Sequence, residues 1–284
     1  MASTERLVAL APEHLRGCLA LSTAAKWNQN EADWRLMLGF GRGWGLALAD
    51  GTLAASTLIL PYGRFAWISM VLVLPEHRRK GYATRLLRAA LSELQQRGLA
   101  AVLDATPAGR QVYLQEGFRD CWGFARYRLE RAAGALEAPG GISVRAIRAT
   151  DWPQVLALDA PSFGADRAPV LRALASRLPQ AALLAERAGR VEGFLLGRDG
   201  RTARQLGPLV AESAEAAMAL LAHALASVAP PLYLDLADRE AALRERLQAA
   251  GFAPERPFTR MVRGANAAPG EPARMILVAG PELG

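Results

Sequence analysis

Cysteine, histidine and lysine are all scarce in this chain of 284 residues. It contains two cysteines, Cys18 and Cys121, three histidines and two lysines. Two cysteines are too few for a disulfide framework or a thiolate metal site, so we expect a reducing, cytoplasmic setting. The histidines lie far apart, and none has a metal-ligating partner at helical i,i+4 spacing, so no metal site is predicted.

Long hydrophobic runs and targeting segments are also missing. The uncharged stretch at residues 216–234 is mostly alanine and is interrupted by Pro230-Pro231, so it predicts a buried helix followed by a strand rather than a membrane span. Residues 1–6 lead into a segment broken by Pro12 and charged residues, which is not the pattern of a signal peptide. We therefore expect no membrane association.

Positive charge comes almost entirely from arginine and is concentrated in the first half of the chain. Residues 1–133 hold 17 Lys and Arg against 11 Asp and Glu, whereas the remainder holds 17 against 16. The excess of +6 against +1 favours a polyanionic ligand for the first half. A nucleic acid is a poorer match, because the arginines are dispersed rather than clustered along one face or interleaved with aromatic residues.

The chain divides into two halves with the same order of elements. Residues 134–141 are rich in glycine, alanine and proline, as in a linker. Each half reads as strand, helix, hairpin, strand, long helix, strand and short helix, and ends at Gly117-Phe118 or Gly251-Phe252. We predict an α/β fold (an α+β mixed sheet) in two tandem domains, residues 1–133 and 142–284.

A basic turn containing a glycine joins a strong strand signal to the longest helical pattern. Residues 66–73 have the apolar content of a strand, and residues 86–94 repeat apolar side chains at helical spacing. Between them, residues 78–81 read Arg-Arg-Lys-Gly. A glycine here lets the backbone approach a ligand, while free amides and the helix dipole favour negative charge. The turn suits a pyrophosphate; the alternative is a basic loop that only caps the helix.

A second signature follows on the next predicted helix. Thr106 and Pro107 are placed as its N-cap and first residue, and Tyr113 precedes Gly117-Phe118 by four residues. A phenol with a pKa of about 10 can protonate a thiolate with a pKa of about 8–9. The alternative is a core tyrosine whose hydroxyl is bonded elsewhere.

These features resemble the GNAT superfamily of N-acetyltransferases. The resemblance rests on the pattern Val-x-Pro-x-x-Arg-x-x-Gly-x-Ala at residues 73–83, and the tandem layout, with residues 104–109 and 256–261, is similar to the YitH-like type. It implies acetyl-CoA as co-substrate, its pyrophosphate on the loop amides, its pantetheine arm on the preceding strand, and Tyr113 as general acid. The implied cofactor-binding residues are Val71, Leu72, Val73, Arg78, Arg79, Lys80, Gly81, Tyr82, Ala83, Thr84 and Thr106.

The chain departs from this pattern in three places. Relatives often have an asparagine seven residues before the tyrosine; Thr106 stands there and can still donate a hydrogen bond, with a role as N-cap alone as the alternative. Many relatives carry a glutamate as general base where this chain has Ala101, so the base is unassigned; Asp104 is a candidate, with a capping or turn carboxylate as the alternative. In the second half, residues 211–215 read Ala-Glu-Ser-Ala-Glu, without glycine, and Leu247 replaces the tyrosine. We therefore predict that the second copy is degenerate and performs no chemistry.

Two loop segments are candidates for binding the acceptor. Trp27, Asn28 and Gln29 place an aromatic ring beside amides, and Asp166 with Arg167 lies at the matching point of the second half. Function concentrates on loops, although a packed helix connection and a helix cap are the respective alternatives.

The predicted function is transfer of an acetyl group from acetyl-CoA to a primary amine of a small molecule or peptide, in a ternary complex without a covalent enzyme intermediate. A non-catalytic acyl-CoA sensor is one alternative, because the expected glutamate is missing. An aminoacyl-tRNA-dependent transferase is another, because such enzymes also use tandem GNAT-like halves. The sequence does not determine the acceptor, the acyl length or the oligomeric state, and a homodimer is left open.

Overall fold

The computed structural model describes residues 5–284, which form one mixed sheet of 13 strands together with eight α-helices. The expectation that the N-terminal segment is not a signal peptide includes residues 1–4, which lie outside the described residues. The first half contains β1 (Arg6–Leu10), α1 (Leu15–Ala24), α2 (Glu31–Phe40), β2 (Arg42–Ala47), β3 (Leu53–Tyr62), β4 (Phe65–Val73), α3 (Tyr82–Gln96), β5 (Ala100–Ala105), α4 (Pro107–Gln115) and β6 (Arg119–Leu129).

The second half repeats this order and adds a short final strand. As the sequence predicts, the uncharged stretch forms a helix and the start of a strand, and no helix in the described part of the chain is long and apolar enough to cross a membrane. The elements are β7 (Ser143–Ala146), α5 (Trp152–Phe163), α6 (Ala168–Arg177), β8 (Leu183–Arg187), β9 (Arg190–Arg198), β10 (Arg204–Ala211), α7 (Ala214–Ser227), β11 (Leu232–Ala237), α8 (Ala241–Ala249), β12 (Ala253–Arg263) and β13 (Met275–Leu277).

The helix α3 forms where the apolar spacing predicts it. Its residues Leu86, Leu87, Ala90, Leu91 and Leu94 are buried, because repeats of three and four residues place them on one face. Glycines in the left-handed region, with φ of 78° before the helix and 64° after it, mark its two ends. The basic turn is therefore held at a rigid helix start.

The two halves exchange the strands β6 and β12. β12, from the second half, lies between β5 and β6 and is antiparallel to both, and β6 pairs on its other side with β11. Phe258 of β12 is opposite Phe124 of β6, and the two buried rings stack 5.1 Å apart. The sequence break at residues 134–141 separates two stretches of chain, but β6 of the first stretch and β12 of the second each lie among strands of the other. The division into residues 1–133 and 142–284 stays a prediction.

The residues that follow β13 return to the first half. The Trp67 ring N–H donates to the carbonyl of Pro281 at 2.9 Å, and the Tyr62 hydroxyl donates to the carbonyl of Leu283 at 3.2 Å. Leu283 belongs to the same buried cluster as both aromatic residues. The last residues of the described chain are thus packed inside the molecule, next to β4.

Candidate active site

The loop between β4 and α3 presents free backbone amides. Gly81 precedes the helix, and Arg79 is also in the left-handed region, with φ of 61°. Within residues 5–284, the amides of residues 79–84 make no hydrogen bond to the protein; the first helical bond runs from the Arg85 amide to the Gly81 carbonyl. A β-carbon added to Gly81 would meet nothing within 4 Å. The turn therefore has both room and donors for an anionic group.

The side chains of this loop point in different directions. Arg78, Arg79 and Lys80 are exposed, which keeps their positive charge at the surface around the turn. Tyr82 is buried, and its hydroxyl donates to the carboxylate of Glu5. Tyr82 can therefore contribute its amide, but not its ring, to a ligand.

β4 and β5 separate beside this loop. Their parallel pairing covers residues 65–67 and 100–102 and stops there. Farther along, Met70 adopts φ of 52° and the register with β3 shifts; the Ser56 hydroxyl fixes this bulge by donating to the Met70 carbonyl at 2.7 Å. The edge of β4 that follows Trp67 is thus left without a partner on β5.

Tyr113 on α4 has a free hydroxyl. Thr106 is the N-cap of α4, as predicted, and its Oγ1 accepts from the Gly109 amide at 3.2 Å. The Tyr113 ring packs edge-on against Phe118, with centroids 5.8 Å apart, and in the described part of the chain its hydroxyl has no hydrogen-bond partner. Burial raises the pKa of Tyr113 to about 12. The phenol therefore keeps its proton at neutral pH and can donate it.

One cavity brings several of the predicted residues together. It holds about 480 Å³ of empty space, counting the part open to solvent, and is lined by residues 68–71 of β4 and by Tyr113. Trp27, Gln29, Asp104 and Thr106 also line it. The free hydroxyl and the unpaired strand edge therefore face the same space, as a proton donor and a thioester site must.

Asp104 lines this cavity but is already engaged. Its two oxygens accept from Nε and Nη2 of Arg260, the residue opposite it on β12, at 2.9 and 3.0 Å. Burial raises the pKa of Asp104, while the guanidinium of Arg260 opposes that rise. The alternative of a capping or turn carboxylate is not what the structure shows, since Asp104 forms a cross-strand ion pair.

Asn28 lies outside the cavity and joins the two halves. It is buried; its Nδ2 donates to the Ala203 carbonyl at 2.9 Å, and its Oδ1 accepts from the amides of Thr202 at 2.9 Å and Ala203 at 3.1 Å. Both the nitrogen and the oxygen of the side-chain amide are therefore bonded within the protein. Asn28 does not bind the acceptor; it packs the connection after α1, which was the alternative interpretation.

Asp166 and Arg167 also have partners within the protein. Asp166 accepts from the Ala168 amide at 2.8 Å at the start of α6, in agreement with the cap interpretation. Arg167 is buried, donates to both oxygens of Asp159 at 2.9 Å, and donates to the Gly284 carbonyl. Neither residue lines the cavity beside Tyr113.

Glu282 reaches the cavity from the residues that follow β13, and no motif marks it in the sequence. It is 2 % exposed, its Oε1 accepts from Nη2 of Arg198, and its Oε2 is buried without a hydrogen-bond partner among the described residues. Ala101, at the position of the expected glutamate, is buried in the core. A carboxylate is therefore present in the cavity, but it comes from the opposite end of the chain.

Comparison with known proteins then decides the family. Residues 7–118 match the profile of the Acetyltransferase (GNAT) family, and residues 155–276 match that of the Acetyltransferase (GNAT) domain. The chain is a tandem GNAT acetyltransferase. An uncharacterized N-acetyltransferase of Bacillus subtilis (strain 168), YitH, is 25% identical over 252 residues, covering 87% of this chain and 88% of that protein. The predicted family, tandem fold and acyltransferase class are thereby confirmed.

Solved structures repeat the tandem GNAT architecture. A Pyrococcus horikoshii protein described as an acetyltransferase has a TM-score of 0.79 at 21% identity, over 99% of this chain and 96% of its own. A tandem GNAT protein from the clavulanic acid biosynthesis pathway has a TM-score of 0.64 at 16% identity, over 93% of this chain and 100% of its own. At these identities the likeness shows the fold alone.

The second GNAT copy has lost both elements of the site. At the start of α7, the Ser213 side chain accepts from the Ala216 amide at 3.2 Å, so this helix start is capped by the protein itself. Leu247, which stands where the first copy has its tyrosine, is fully buried in the core. The copy is degenerate, as predicted from its sequence.

Proposed function

We propose that this GNAT protein transfers an acetyl group from acetyl-CoA to a primary amine of a small molecule or peptide, directly and within a ternary complex. The observation that supports this function best is the shared cavity, where the free hydroxyl of Tyr113 faces the unpaired edge of β4. That edge leads into the loop whose amides are free. A proton donor, a strand edge and an anion site thus follow one another along one side of the first copy.

The residues of the first copy fit acetyl-CoA. The amides of residues 79–84 would hold the pyrophosphate, with Arg78 and Lys80 adding positive charge, and residues 71–73 would pair with the pantetheine arm. The open space beside Gly81 permits a close approach of the phosphates. When bound, acetyl-CoA supplies an acetyl group activated as a thioester and a sulfur that leaves as a thiolate.

Three groups of the chain would then act on the transfer. An amide of β4, at Leu72 or Val73, stabilises the negative charge that develops on the carbonyl oxygen. The acceptor enters as an ammonium ion and loses one proton to Glu282 Oε2, which frees the nitrogen lone pair for attack on the acetyl carbon. As the carbon–sulfur bond breaks, Tyr113 gives its phenolic proton to the sulfur, and the proton that the attacking nitrogen then loses restores the phenol. Glu282 releases its proton to solvent, so the cycle converts one ammonium and one thioester into one amide, one thiol and one proton.

The two alternatives are less well supported. A non-catalytic acyl-CoA sensor is motivated by the missing glutamate, but Glu282 supplies a carboxylate to the same cavity. An aminoacyl-tRNA-dependent transferase does not require the intact pyrophosphate loop that this chain retains. A cytoplasmic location and a homodimer stay predictions.

The proposal is tested by following thiol release from acetyl-CoA with a panel of primary amines. We expect Tyr113→Phe to lower kcat by about 100-fold or more, the usual size of a general-acid effect, without changing the Kd for acetyl-CoA. The matched control is Tyr127→Phe, which removes the hydroxyl of a buried tyrosine of β6 that does not line the cavity. Equal turnover in the two variants would remove Tyr113 from the mechanism.

A further inference from the structure

Four charged side chains line the cavity beside Tyr113, and two of them are neutralised by the protein. Asp104 is paired with Arg260, as described above. Arg126 is paired with Asp235 through two bonds of 2.8 Å. In each pair both carboxylate oxygens accept from the guanidinium, so neither pair needs a ligand. Glu282 instead meets Arg198 through Oε1 alone, and Arg256 has no carboxylate within hydrogen-bond distance among the described residues.

Glu282 belongs to a cluster of three carboxylates and two guanidiniums. Arg198 donates both to Glu282 and to Asp33, at 2.6 Å in the second case. Asp33 also accepts from Arg177 at 2.6 Å, and Arg177 is shared with Asp199 at 2.7 Å. Asp199 is half exposed, so the buried carboxylates of Glu282 and Asp33 are matched by the two guanidiniums. What is left unsatisfied is Glu282 Oε2, a buried carboxylate oxygen that a bound cation with N–H groups would stabilise.

Two buried oxygens in this cavity also lack donors. Glu282 Oε2 and Gln29 Oε1 accept no hydrogen bond from any described residue, although both side chains belong to residues that are 2% exposed. A buried acceptor without a donor costs free energy, so a ligand with more than one N–H group would stabilise both oxygens. An ammonium group carries three such donors.

Arg256 has hydrogen-bond donors without acceptors, whereas the oxygens of Glu282 and Gln29 lack donors. Among the described residues, its guanidinium donates no hydrogen bond, and the one carboxylate within 4 Å is that of Glu255, at 3.9 Å. Burial and the nearby charge of Arg126 lower the pKa of Arg256. A guanidinium with free donors binds a carboxylate or a phosphate through two parallel bonds, so this end of the site suits an anion.

We infer that the acceptor is a small amine that also carries an acidic group, as an amino acid does. Its ammonium binds at Glu282 and Gln29, and its anionic group binds at Arg256. This inference rests on the proposed function and narrows its acceptor. A polyamine or a neutral aminosugar would leave Arg256 without a partner, and a site built to pair a charge rejects analogues that lack it.

The test compares acidic amines with neutral partners of the same shape. Thiol release is measured with glycine, L-alanine, L-glutamate, L-methionine and L-phenylalanine, and with the α-carboxamide of each. We expect kcat/KM to be at least about tenfold higher for the preferred acids than for their carboxamides. Arg256→Gln should remove this preference and Arg256→Lys should keep part of it. The matched control, Arg64→Gln in the exposed β3–β4 turn, should leave it intact.

Each other outcome has a defined meaning. If the carboxamides react as fast as the acids, or if only neutral amines react, the inference is wrong and the proposed function stands. The inference is also wrong, with the proposed function intact, if Arg256→Gln keeps the preference for acids over carboxamides. The same conclusion holds if Arg256→Gln weakens acetyl-CoA binding instead, because Arg256 would then bind the co-substrate. If neither these amines nor spermidine and glucosamine cause thiol release, the proposed function itself fails.

Discussion

Arg260 donates from Nε and Nη2 to the two carboxylate oxygens of Asp104, although the two residues belong to different GNAT copies. The guanidinium also lies between two aromatic rings, 4.5 Å from that of Trp67 and 4.3 Å from that of Trp122. Asp104 lines the cavity, and the pair joins β5 to β12. The second copy thus holds a cavity residue of the other copy in place.

Breaking this pair on one side should destabilise the whole protein. We expect Arg260→Met to lower the free energy of unfolding by about 3–5 kcal/mol, because it leaves a buried carboxylate without a partner. The double variant Asp104→Leu with Arg260→Met should recover most of that loss, since no charge is then left unpaired. Urea unfolding measures both effects, and equal losses in the single and double variants would contradict this account.

A negative charge at the pyrophosphate loop should prevent binding of the co-substrate. We expect Gly81→Glu to weaken acetyl-CoA binding by at least about 100-fold, because like charges facing each other cost several kcal/mol. Gly63→Glu is a close control: Gly63 has φ of 66° against 78° for Gly81, and a β-carbon at either position meets nothing within 4 Å. Calorimetric titration with acetyl-CoA should show loss of affinity only for Gly81→Glu.

The raised pKa of Tyr113 predicts how kcat depends on pH above neutrality. Because burial raises this pKa to about 12, the phenol stays protonated as the pH rises, and kcat should not fall between about pH 8 and about pH 10. The proton is bound more tightly in the folded state, so the associated stability is full below about pH 10 and is lost as the pH approaches 12. A falling limb near pH 10 that disappears in Tyr113→Phe would contradict this prediction.

The neighbours Asn28 and Gln29 should respond differently to truncation. Asn28→Ala removes bonds between the two copies, so we expect it to lower the free energy of unfolding by about 1–3 kcal/mol with little change in KM. Gln29→Ala removes an oxygen without a partner from the cavity, so we expect it to raise the KM for the acceptor without loss of stability. Urea denaturation and initial rates are measured on both variants. A raised KM in Asn28→Ala together with lost stability in Gln29→Ala would contradict the structural role of Asn28 and the binding role of Gln29.

The local parts of the site were predictable from the sequence. The loop around Gly81, the N-cap at Thr106 and the position of Tyr113 each depend on residues close together in the chain. Propensity, capping and backbone freedom fix such features locally. The absence of the glycine turn and of the tyrosine from the second copy was visible for the same reason, since residues 211–215 and Leu247 are read directly from the sequence.

The long-range parts were not predictable. β6 and β12 have similar patterns and follow similar Gly-Phe pairs, so the pattern alone does not say which strand pairs with which copy. Glu282 carries no local signal, because it enters the cavity only through the path of the residues beyond β13. Asn28 looked like a ligand-binding residue, yet its partners lie near residue 203, where only the assembled structure places them.

Because β6 and β12 each finish the sheet of the opposite copy, neither copy can be removed without opening an edge in the other. A gene truncated at the linker would encode a β5 with an exposed flank, which invites aggregation, and a cavity without its Glu282. The two copies are therefore one structural unit: β12 closes the sheet beside β5, and the segment after β13 brings Glu282 to the cavity.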